Sequence, residues 1–302
     1  MKAEKLKKGD EIGLIAPSRF TFGFKKELDE GKKILTDLGF KIIQGKNINK
    51  RIGNSAGAIE EKVDDLHEML RRERVKAIFC ALGGDSTNQI LEHIDYKLFK
   101  KYPKIILGFS DITYLLLAIY KKTGLLTFHG PNLKDLSSYN KKTISFFINL
   151  LEYSSTNKKI SYPNSMNIIK DGKAKGKLIG GNLFVINSLL KTKYCPDLKD
   201  AILFFEDIDE SIASIEFQLY QLRLSGILNK IAGIVIGHIE TNLKKSELKK
   251  IITQITYDLN IPIIKVDYFG HHSKNFLIFP IGAKILLDTK NKEFSLLDSP
   301  LK

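Results

Sequence analysis

Short apolar runs alternate with amphipathic segments over the first 130 residues of the chain. The runs predict strands and the amphipathic segments predict helices, at Glu11–Pro17 (strand), Phe24–Leu38 (helix), Lys41–Gln44 (strand), Ile59–Arg72 (helix), Lys76–Leu82 (strand), Lys104–Phe109 (strand) and Leu125–Phe128 (strand). Repeated strand–helix units of this length predict a parallel sheet with helices on both faces. Ligand sites in such sheets lie beyond the carboxyl ends of the strands.

A polar, turn-rich stretch separates this region from a second patterned region. The second region contains the apolar runs AILFFED, IAGIVIGH and FLIFPIG, and helical segments around LFVINSLL and IEFQLYQLRL. Its last two runs, AKILLD and EFSLLD, are joined by TKNK, which is typical of a hairpin. We therefore expect an α/β protein with an N-terminal domain at 1–134, a linker at 135–174 and a C-terminal domain at 175–302.

The bulk properties of the chain indicate a cytoplasmic location. No apolar run is long enough to span a bilayer, and the lysine-containing N-terminus lacks the pattern of a cleavable signal peptide. The two cysteines, Cys80 and Cys195, fit a reducing compartment. We expect no membrane partner.

The net charge of +14 raises the question of nucleic-acid binding. Nearly all of the positive charge comes from lysine, with only six arginines, and the lysines are scattered over the predicted helices. No helix-turn-helix, zinc-finger or aromatic-rich RNA-binding pattern is present in the sequence. Net charge alone is a weak marker of function, so we expect no nucleic-acid partner.

The sequence lacks the common motifs for metals and phosphates. It has no HExxH and no cluster of cysteine and histidine, and two candidate ligands at one strand end, His238 and Glu240, do not define a site. The turn GGDSTN is not followed by the Gly-Lys-Ser/Thr of a P-loop, and no G-x-G-x-x-G follows the first strand. We expect no metal and no organic cofactor.

The segment IILGFSDIT, residues 105–113, places a serine on a turn between a strand and a helix. N–H groups at a helix N-terminus carry partial positive charge and can stabilise an oxyanion, so Ser110 is a candidate nucleophile. The turn resembles the G-x-S-x-G nucleophile elbow, although Ile112 stands in place of the second glycine. A Ser-Asp pair that opens a helix is also a common N-cap, and this alternative stays open.

Two further strand ends carry side chains suited to catalysis. Glu206 and Asp207 end the run AILFF, and His271 and His272 follow VDYFG. A serine, a carboxylate and a histidine at three strand ends can act as nucleophile, orienting group and base. The carboxylates could instead cap the helix that follows, and the histidines could be ordinary loop residues.

Seven motifs in the same order resemble the LD-carboxypeptidase family of serine peptidases, which includes the microcin C immunity carboxypeptidases. They are IGLIAPS, GGDSTNQIL at 83–91, GFSDIT at 108–113, HGP at 129–131, KLIGGNL at 177–183, ILFFED at 202–207 and FGHHS at 269–273. The resemblance implies a Rossmann-like N-terminal domain and a smaller, mixed and partly barrel-like α/β C-terminal domain. It also implies a catalytic site between the domains and, usually, a homodimer.

The resemblance assigns roles to individual residues. Ser110 corresponds to the nucleophile, Glu206 to the orienting carboxylate and His271 to the base of a Ser-Glu-His triad. The oxyanion hole would use the backbone N–H groups of Gly84 and Asp111. A cationic or N–H partner is expected for the free carboxylate of the substrate, but the many lysines leave it unassigned.

The resemblance leaves two substrate classes open. GGDSTNQIL and FGHHS are closer to the immunity-type enzymes, which hydrolyse peptide-nucleotide amides and carry a longer segment before GKLIGGN, with a tryptophan that stacks on adenine. This chain has no tryptophan, and its segment at 162–176 is short, so Tyr162, as the first candidate, or another aromatic would have to substitute for it. We therefore predict a murein tetrapeptide, cleaved at its L,D-bond with release of D-alanine, as the substrate. A catalytically silent binding protein is a further alternative, which the retained triad residues disfavour.

Overall fold

The computed structural model describes residues 1–152, 161–163, 165–208, 211–240, 245–273 and 275–302. These residues form two compact units. The first unit contains the described residues of Met1–Ser154 together with Asn275–Ile281 and Pro300–Lys302, and the second contains those of Ser155–Lys274 and Gly282–Ser299. None of the described helices is long and apolar enough to cross a membrane.

The elements follow one another in a largely alternating order. The strands are β1 (Glu11–Ile15), β2 (Lys41–Gln44), β3 (Val75–Cys80), β4 (Ile105–Gly108), β5 (Thr127–His129), β6 (Asn167–Lys170), β7 (Lys173–Asn182), β8 (Ala201–Asp207), β9 (Gly233–Ile239), β10 (Ile263–Lys265), β11 (Phe279–Ile281), β12 (Lys284–Asp288) and β13 (Glu293–Leu296). The α-helices are α1 (Lys25–Asp37), α2 (Ile59–Arg71), α3 (Lys97–Lys101), α4 (Thr113–Thr123), α5 (Lys141–Glu152), α6 (Leu183–Leu189), α7 (Ile212–Leu224) and α8 (Lys245–Ile255). Both the α/β class and the final hairpin, β12–β13, are confirmed.

The first sheet has the order β11-β5-β4-β3-β1-β2. Strands β1 to β5 run parallel, as predicted. Their central members are buried along almost their whole length, which matches the nearly continuous apolar runs of a sheet covered on both faces. The carboxyl ends of β1, β3 and β4 therefore meet at one edge of this sheet.

The edge strand β11 comes from a different part of the sequence than the rest of the first sheet. It pairs antiparallel with β5, with Phe279 opposite His129 and Ile281 opposite Thr127. The run FLIFPIG was expected in the second region, but three of its residues complete the first sheet. The adjoining Phe276 packs on Phe109, with the ring centroids 4.8 Å apart.

The stretch at 135–174, expected as a linker, contributes elements to both units. Helix α5 belongs to the first unit, where Phe147 packs edge-on against Phe79 with the ring centroids 5.7 Å apart. Strand β6 belongs to the second unit, where it pairs antiparallel with β10. Helix α5 was partly visible in the apolar pattern of ISFFINLLEY, whereas β6 is too short to give a pattern.

The second sheet has the order β13-β12-β7-β8-β9-β10-β6 and is mixed. Strands β7 to β10 run parallel, and β12, β13 and β6 are antiparallel to their neighbours. Strand β8 is buried at all seven residues, including the two carboxylates at its end. The mixed C-terminal sheet expected from the family resemblance is thereby confirmed.

Candidate active site

Ser110 lies on a strained turn between β4 and α4. Its φ is +64°, in the left-handed region that non-glycine residues seldom adopt. A short 3₁₀ turn, Ser110–Ile112, leads from Ser110 into α4. No side-chain hydrogen bond caps this turn or α4, so the hydroxyl of Ser110 does not serve as the helix cap that the sequence left open. A sharp, strained strand-to-helix turn that presents a serine is the geometry of a nucleophile elbow.

Gly108 explains how the elbow forms with Ile112 in place of the second glycine. A Cβ added to Gly108 would lie 2.8 Å from Cγ2 of Ile112, so any side chain at position 108 would collide with the isoleucine. The glycine before the serine therefore provides the space that allows the turn to remain tight.

The carboxylate of Asp111 ties this turn to two other loops. It is buried, and its Oδ2 accepts hydrogen bonds from the hydroxyl of Ser18 and from the backbone N–H groups of Ser86 (3.1 Å) and Thr87 (2.8 Å). A buried carboxylate is stable only when its oxygens are hydrogen-bonded. The contact therefore holds the Ser110 turn and the turn Gly83–Thr87 together. The segment after Ser86 forms a 3₁₀ turn, Thr87–Ile90.

The Gly83–Gly84 peptide lies beside the candidate nucleophile. A Cβ added to Gly83 would lie 3.2 Å from Oγ of Ser110. Gly84 has a φ of +155°, and a Cβ there would lie 2.5 Å from Cβ of Arg19 and 2.6 Å from Oγ of Ser18. Only glycine fits this position without displacing its neighbours, and the absence of side chains leaves the backbone beside Ser110 open.

A buried lysine, Lys62 on α2, lies close enough to the Asp111 carboxylate for the two charges to interact. Its Nζ donates to Oγ of Ser55 (2.8 Å) and to Oε1 of Gln89 (3.2 Å). Burial lowers the pKa of Lys62, and the negative charge of Asp111 acts in the opposite direction. Sequence reasoning missed this residue, because a lysine within a charged amphipathic helix looks like any other surface lysine.

Glu206 and His271 form a close pair in the second unit. Nδ1 of His271 lies 2.6 Å from Oε2 of Glu206, and the same oxygen accepts the backbone N–H of His271 at 3.1 Å. The Glu206 side chain is fully buried, and that of His271 is 13% exposed. Gly270, with a φ of +105°, allows the close approach, since a Cβ there would lie 2.8 Å from Cβ of Glu206. A carboxylate that accepts from Nδ1 leaves Nε2 to act as a base.

Asp207 has a structural role distinct from that of Glu206. Its carboxylate accepts from Nδ2 of Asn182 (2.8 Å) and from the backbone N–H of Phe184 (3.2 Å), at the start of α6. The helix that follows β8, α7, is capped instead by Ser211. The alternative that the Glu206–Asp207 pair caps the next helix is therefore wrong.

The second histidine of the loop, His272, faces a different carboxylate. Its side chain is 65% exposed, and its Nε2 lies 3.5 Å from Oε2 of Glu240. Nearby His238 has a lowered pKa, chiefly because of burial and secondly because of the positive charge of Lys265. Within the described ranges of the chain, no group of three or more histidine, cysteine or acidic side chains is arranged to hold a metal ion.

Tyr162, suggested by the sequence as a substitute for the missing tryptophan, is not available for stacking on a ligand. It is 1% exposed, and its ring packs between Phe294 (centroids 4.5 Å apart) and Tyr268 (6.1 Å) in the core of the second unit. That suggestion is wrong. Nothing in the sequence around Tyr162 indicated that its ring would be buried.

The structure thus groups the predicted residues in two sets. Ser110, Gly84 and Asp111 lie together at the carboxyl edge of the first sheet, and Glu206 and His271 lie together at the carboxyl end of β8. A cleft of about 640 Å³ in the first unit, lined by residues of α1 and the loop before it, contains none of these residues.

Comparisons with known proteins match the whole chain. Two family models fit it: the LD-carboxypeptidase N-terminal domain at residues 12–130 and the LD-carboxypeptidase C-terminal domain at residues 175–287. The probable murein peptide carboxypeptidase of Bacillus subtilis (strain 168) is 35% identical over 302 residues, which cover 96% of this chain and 92% of that protein.

Two further relatives have solved structures. The microcin C7 self-immunity protein MccF of Escherichia coli is 31% identical over 329 residues, covering 97% of this chain and 94% of that protein. A structure of MccF in complex with glutamyl sulfamoyl guanosine superposes with a TM-score of 0.93 at 28% identity, covering 100% and 99% of the two chains. The muramoyltetrapeptide carboxypeptidase of Oxalobacter formigenes superposes with a TM-score of 0.81 at 26% identity, covering 95% and 97%.

Proposed function

Because the chain belongs to the LD-carboxypeptidase family, we propose that it is a serine carboxypeptidase that hydrolyses the L,D-bond of a murein tetrapeptide and releases D-alanine. The observation that carries the proposal is the His271–Glu206 pair at 2.6 Å, because a buried carboxylate that orients a histidine is the part of a serine hydrolase least expected by chance. The murein peptide carboxypeptidase relative supports the substrate class.

In the proposed mechanism, Ser110 attacks the carbonyl carbon of the terminal amide. Nε2 of His271 takes the proton from Oγ of Ser110 and passes it to the leaving amine of D-alanine. Glu206 stabilises the imidazolium that forms in between. Water, activated by the same histidine, then hydrolyses the acyl-enzyme and releases the shortened peptide.

We propose the backbone N–H groups of Gly84 and Asp111 as the oxyanion hole. Gly84 belongs to the side-chain-free turn beside Oγ of Ser110, and Asp111 follows Ser110 at the start of a helical turn. Donors fixed in advance at such positions stabilise the negative charge that develops in the transition state. The Asp111 carboxylate holds both loops in place through Ser86 and Thr87.

Hydrolysis assays test the activity itself. We expect the protein to release D-alanine from an L,D-tetrapeptide, and Ser110→Ala to fold normally and lose nearly all turnover. Chelation with EDTA is expected to leave the rate unchanged. Inhibition by EDTA that added zinc reverses would contradict the serine mechanism. The homodimer implied by the resemblance is checked separately by light scattering.

The second candidate function is hydrolysis of a peptide-nucleotide or aminoacyl-adenylate-like amide, which the likeness to MccF favours. Two observations weigh against it: the chain has no tryptophan, and Tyr162 is buried in the core. Loss of one base-stacking platform costs about 1–3 kcal/mol, or roughly ten- to hundred-fold in kcat/KM. We therefore expect the tetrapeptide to be the better substrate. A higher kcat/KM for an aminoacyl sulfamoyl adenosine, measured with the same enzyme and buffer, would reverse this choice.

A further inference from the structure

We propose that Arg19 binds the free carboxylate of the substrate's C-terminal residue and so makes the enzyme a carboxypeptidase. The inference rests on the function proposed above. A peptidase that removes the last residue must distinguish a free terminal carboxylate from an internal amide. An arginine is well suited to this, since its planar fork of N–H donors matches the two oxygens of a carboxylate.

Arg19 is attached to the site through its backbone. It follows Ser18, whose hydroxyl donates to the Asp111 carboxylate. The backbone of Gly84 lies so close that an added Cβ would be 2.5 Å from Cβ of Arg19. The neighbouring Gly83 borders Oγ of Ser110. Arg19 is thus separated from the nucleophile by the two-glycine turn, and the terminal carboxylate of a bound peptide is separated from the reacting carbonyl by a single residue.

The guanidinium of Arg19 is held in place but carries no opposing charge. Arg19 is exposed, and no carboxylate in the described part of the chain lies within ion-pair distance of it. Its guanidinium carbon lies 5.6 Å from the ring centroid of Phe20 and 6.0 Å from that of Phe24. Contact with aromatic rings restrains a guanidinium while its N–H edges remain able to bind an anion.

The other cations of this region are already engaged. Lys62 is buried and donates to Ser55 and Gln89. Lys134 pairs with the adjacent Asp135 at 2.9 Å. Arg51 lies 4.0 Å over the Phe20 ring and donates its Nε–H to the carbonyl of Gly53. Of these four described cations, Arg19 is the one whose side-chain contacts are with aromatic rings alone, so its N–H groups have no acceptor among the described residues.

Arg51 also provides a matched control. It is an arginine of the same unit and stacks on the same Phe20 ring, but it is not among the residues that lie nearest to Gly83 and Gly84, as Arg19 is. Replacement of either arginine by glutamine removes one positive charge and a cation–π contact with Phe20, and Arg19→Gln also removes the contact with Phe24. Only replacement of Arg19 removes the proposed carboxylate partner.

The experiment compares two substrates that differ only at the terminus, an L,D-tetrapeptide ending in D-alanine and the same peptide ending in D-alaninamide. The wild-type enzyme is expected to prefer the free acid. Arg19→Gln should lose about 10²-fold in kcat/KM on the acid, mostly through KM, and change less than threefold on the amide. On the acid, the kcat/KM of Arg19→Lys should lie between those of the wild-type enzyme and Arg19→Gln, because lysine keeps the charge but lacks the planar fork of N–H donors. Arg51→Gln should keep the wild-type ratio of acid to amide.

Each other outcome overturns the inference in a recognisable way. If the wild-type enzyme is active and Arg19→Gln keeps the acid-to-amide ratio, Arg19 does not bind the carboxylate, although the carboxypeptidase function stands. An equal loss on both substrates would make Arg19 a structural residue, and an equal shift in Arg51→Gln would assign the effect to general charge. A wild-type enzyme that cleaves the L,D-bond of neither peptide, releasing no D-alanine from the acid and no D-alaninamide from the amide, would overturn the proposed function and the role of Arg19 together.

Discussion

The replacement Gly84→Ala tests the turn that we assign to the oxyanion hole. Gly84 has a φ of +155°, which L-residues rarely adopt. An alanine Cβ would also lie 2.5 Å from Cβ of Arg19, 2.6 Å from Oγ of Ser18 and 2.8 Å from the backbone nitrogen of Arg19. The nitrogen of Arg19 is a main-chain atom, and the hydroxyl of Ser18 is hydrogen-bonded to Asp111. Neither can easily move aside, so the turn itself has to move.

The expected cost has two parts. A residue held in a disfavoured backbone region costs about 1–3 kcal/mol. Relief of the short contacts costs a further 1–3 kcal/mol or so, as for an overpacked core. The free energy of unfolding of the first unit should therefore fall by about 2–6 kcal/mol. Because the displaced peptide lies beside Oγ of Ser110, kcat should fall by roughly 10²- to 10³-fold, as for the loss of one oxyanion donor.

The assay measures D-alanine release and urea-induced unfolding on the same preparations, at a temperature at which the variant remains folded. Gly9→Ala is the matched control. Gly9 also belongs to the first unit and has a φ of +92°, but an added Cβ would have no atom within 4 Å. It should show only the backbone cost of about 1–3 kcal/mol and an unchanged kcat.

The difference between the two alanine variants isolates the effect of the contacts at Gly84. If Gly84→Ala is no less stable than Gly9→Ala, the collision with Ser18 and Arg19 has been misjudged. If it is destabilised but retains kcat within a factor of about three, which is below 1 kcal/mol, the Gly84 peptide has no part in transition-state stabilisation.

Three further predictions concern single side chains. Ser110→Gly and Ser110→Ala should both be inactive, but the glycine variant should be more stable by about 1 kcal/mol, because it relieves the positive φ; chemical denaturation measures the difference. His271→Ala should lose several orders of magnitude in kcat and His272→Ala should not, because only His271 contacts Glu206; steady-state kinetics decide, and equal losses would contradict the assignment. Burial lowers the pKa of Lys104 to about 8 from an unfolded value of 10.5, so the unfolded chain binds more protons between these two values. Wild-type stability should accordingly rise from pH 8 to 10.5 relative to Lys104→Met, and a flat difference in urea unfolding over this range would refute the pKa shift.

The pattern of hydrophobic residues predicted the strands that can be recognised from their own sequence. The five parallel strands of the first sheet and the β12–β13 hairpin were predicted from short apolar runs bounded by turn residues, which can be recognised without knowledge of their partner strands. The edge strand β11 could not be assigned in this way. Its three residues pair with β5, some 150 residues earlier in the chain, and an apolar run does not specify its partner.

The candidate site divides in a similar manner. Ser110, Glu206 and His271 were identified because each was expected at a strand end and because the motifs around them resemble one family. The expectation was wrong for His271, since β10 ends at Lys265 and a loop leads from there to the histidine. Lys62 and Arg19 were not identified, since a lysine or arginine in a polar segment has no distinguishing pattern. Their roles follow from burial and contacts, namely the hydrogen bonds of Lys62 and the closeness of Arg19 to Gly84.

Buried carboxylates fix both sets of candidate catalytic residues by the same physical means. Asp111 accepts hydrogen bonds from the backbone N–H groups of Ser86 and Thr87 in the turn Gly83–Thr87. Glu206 accepts hydrogen bonds from the backbone N–H and the Nδ1–H of His271. Both carboxylates are almost completely buried, at 6% and 0% exposure. A loop that moved away would leave a buried carboxylate without its hydrogen bonds, at a cost of several kcal/mol. Each loop is therefore held before substrate arrives, so that binding energy need not be used to order it, and each set of residues is preorganised by contacts within its own unit.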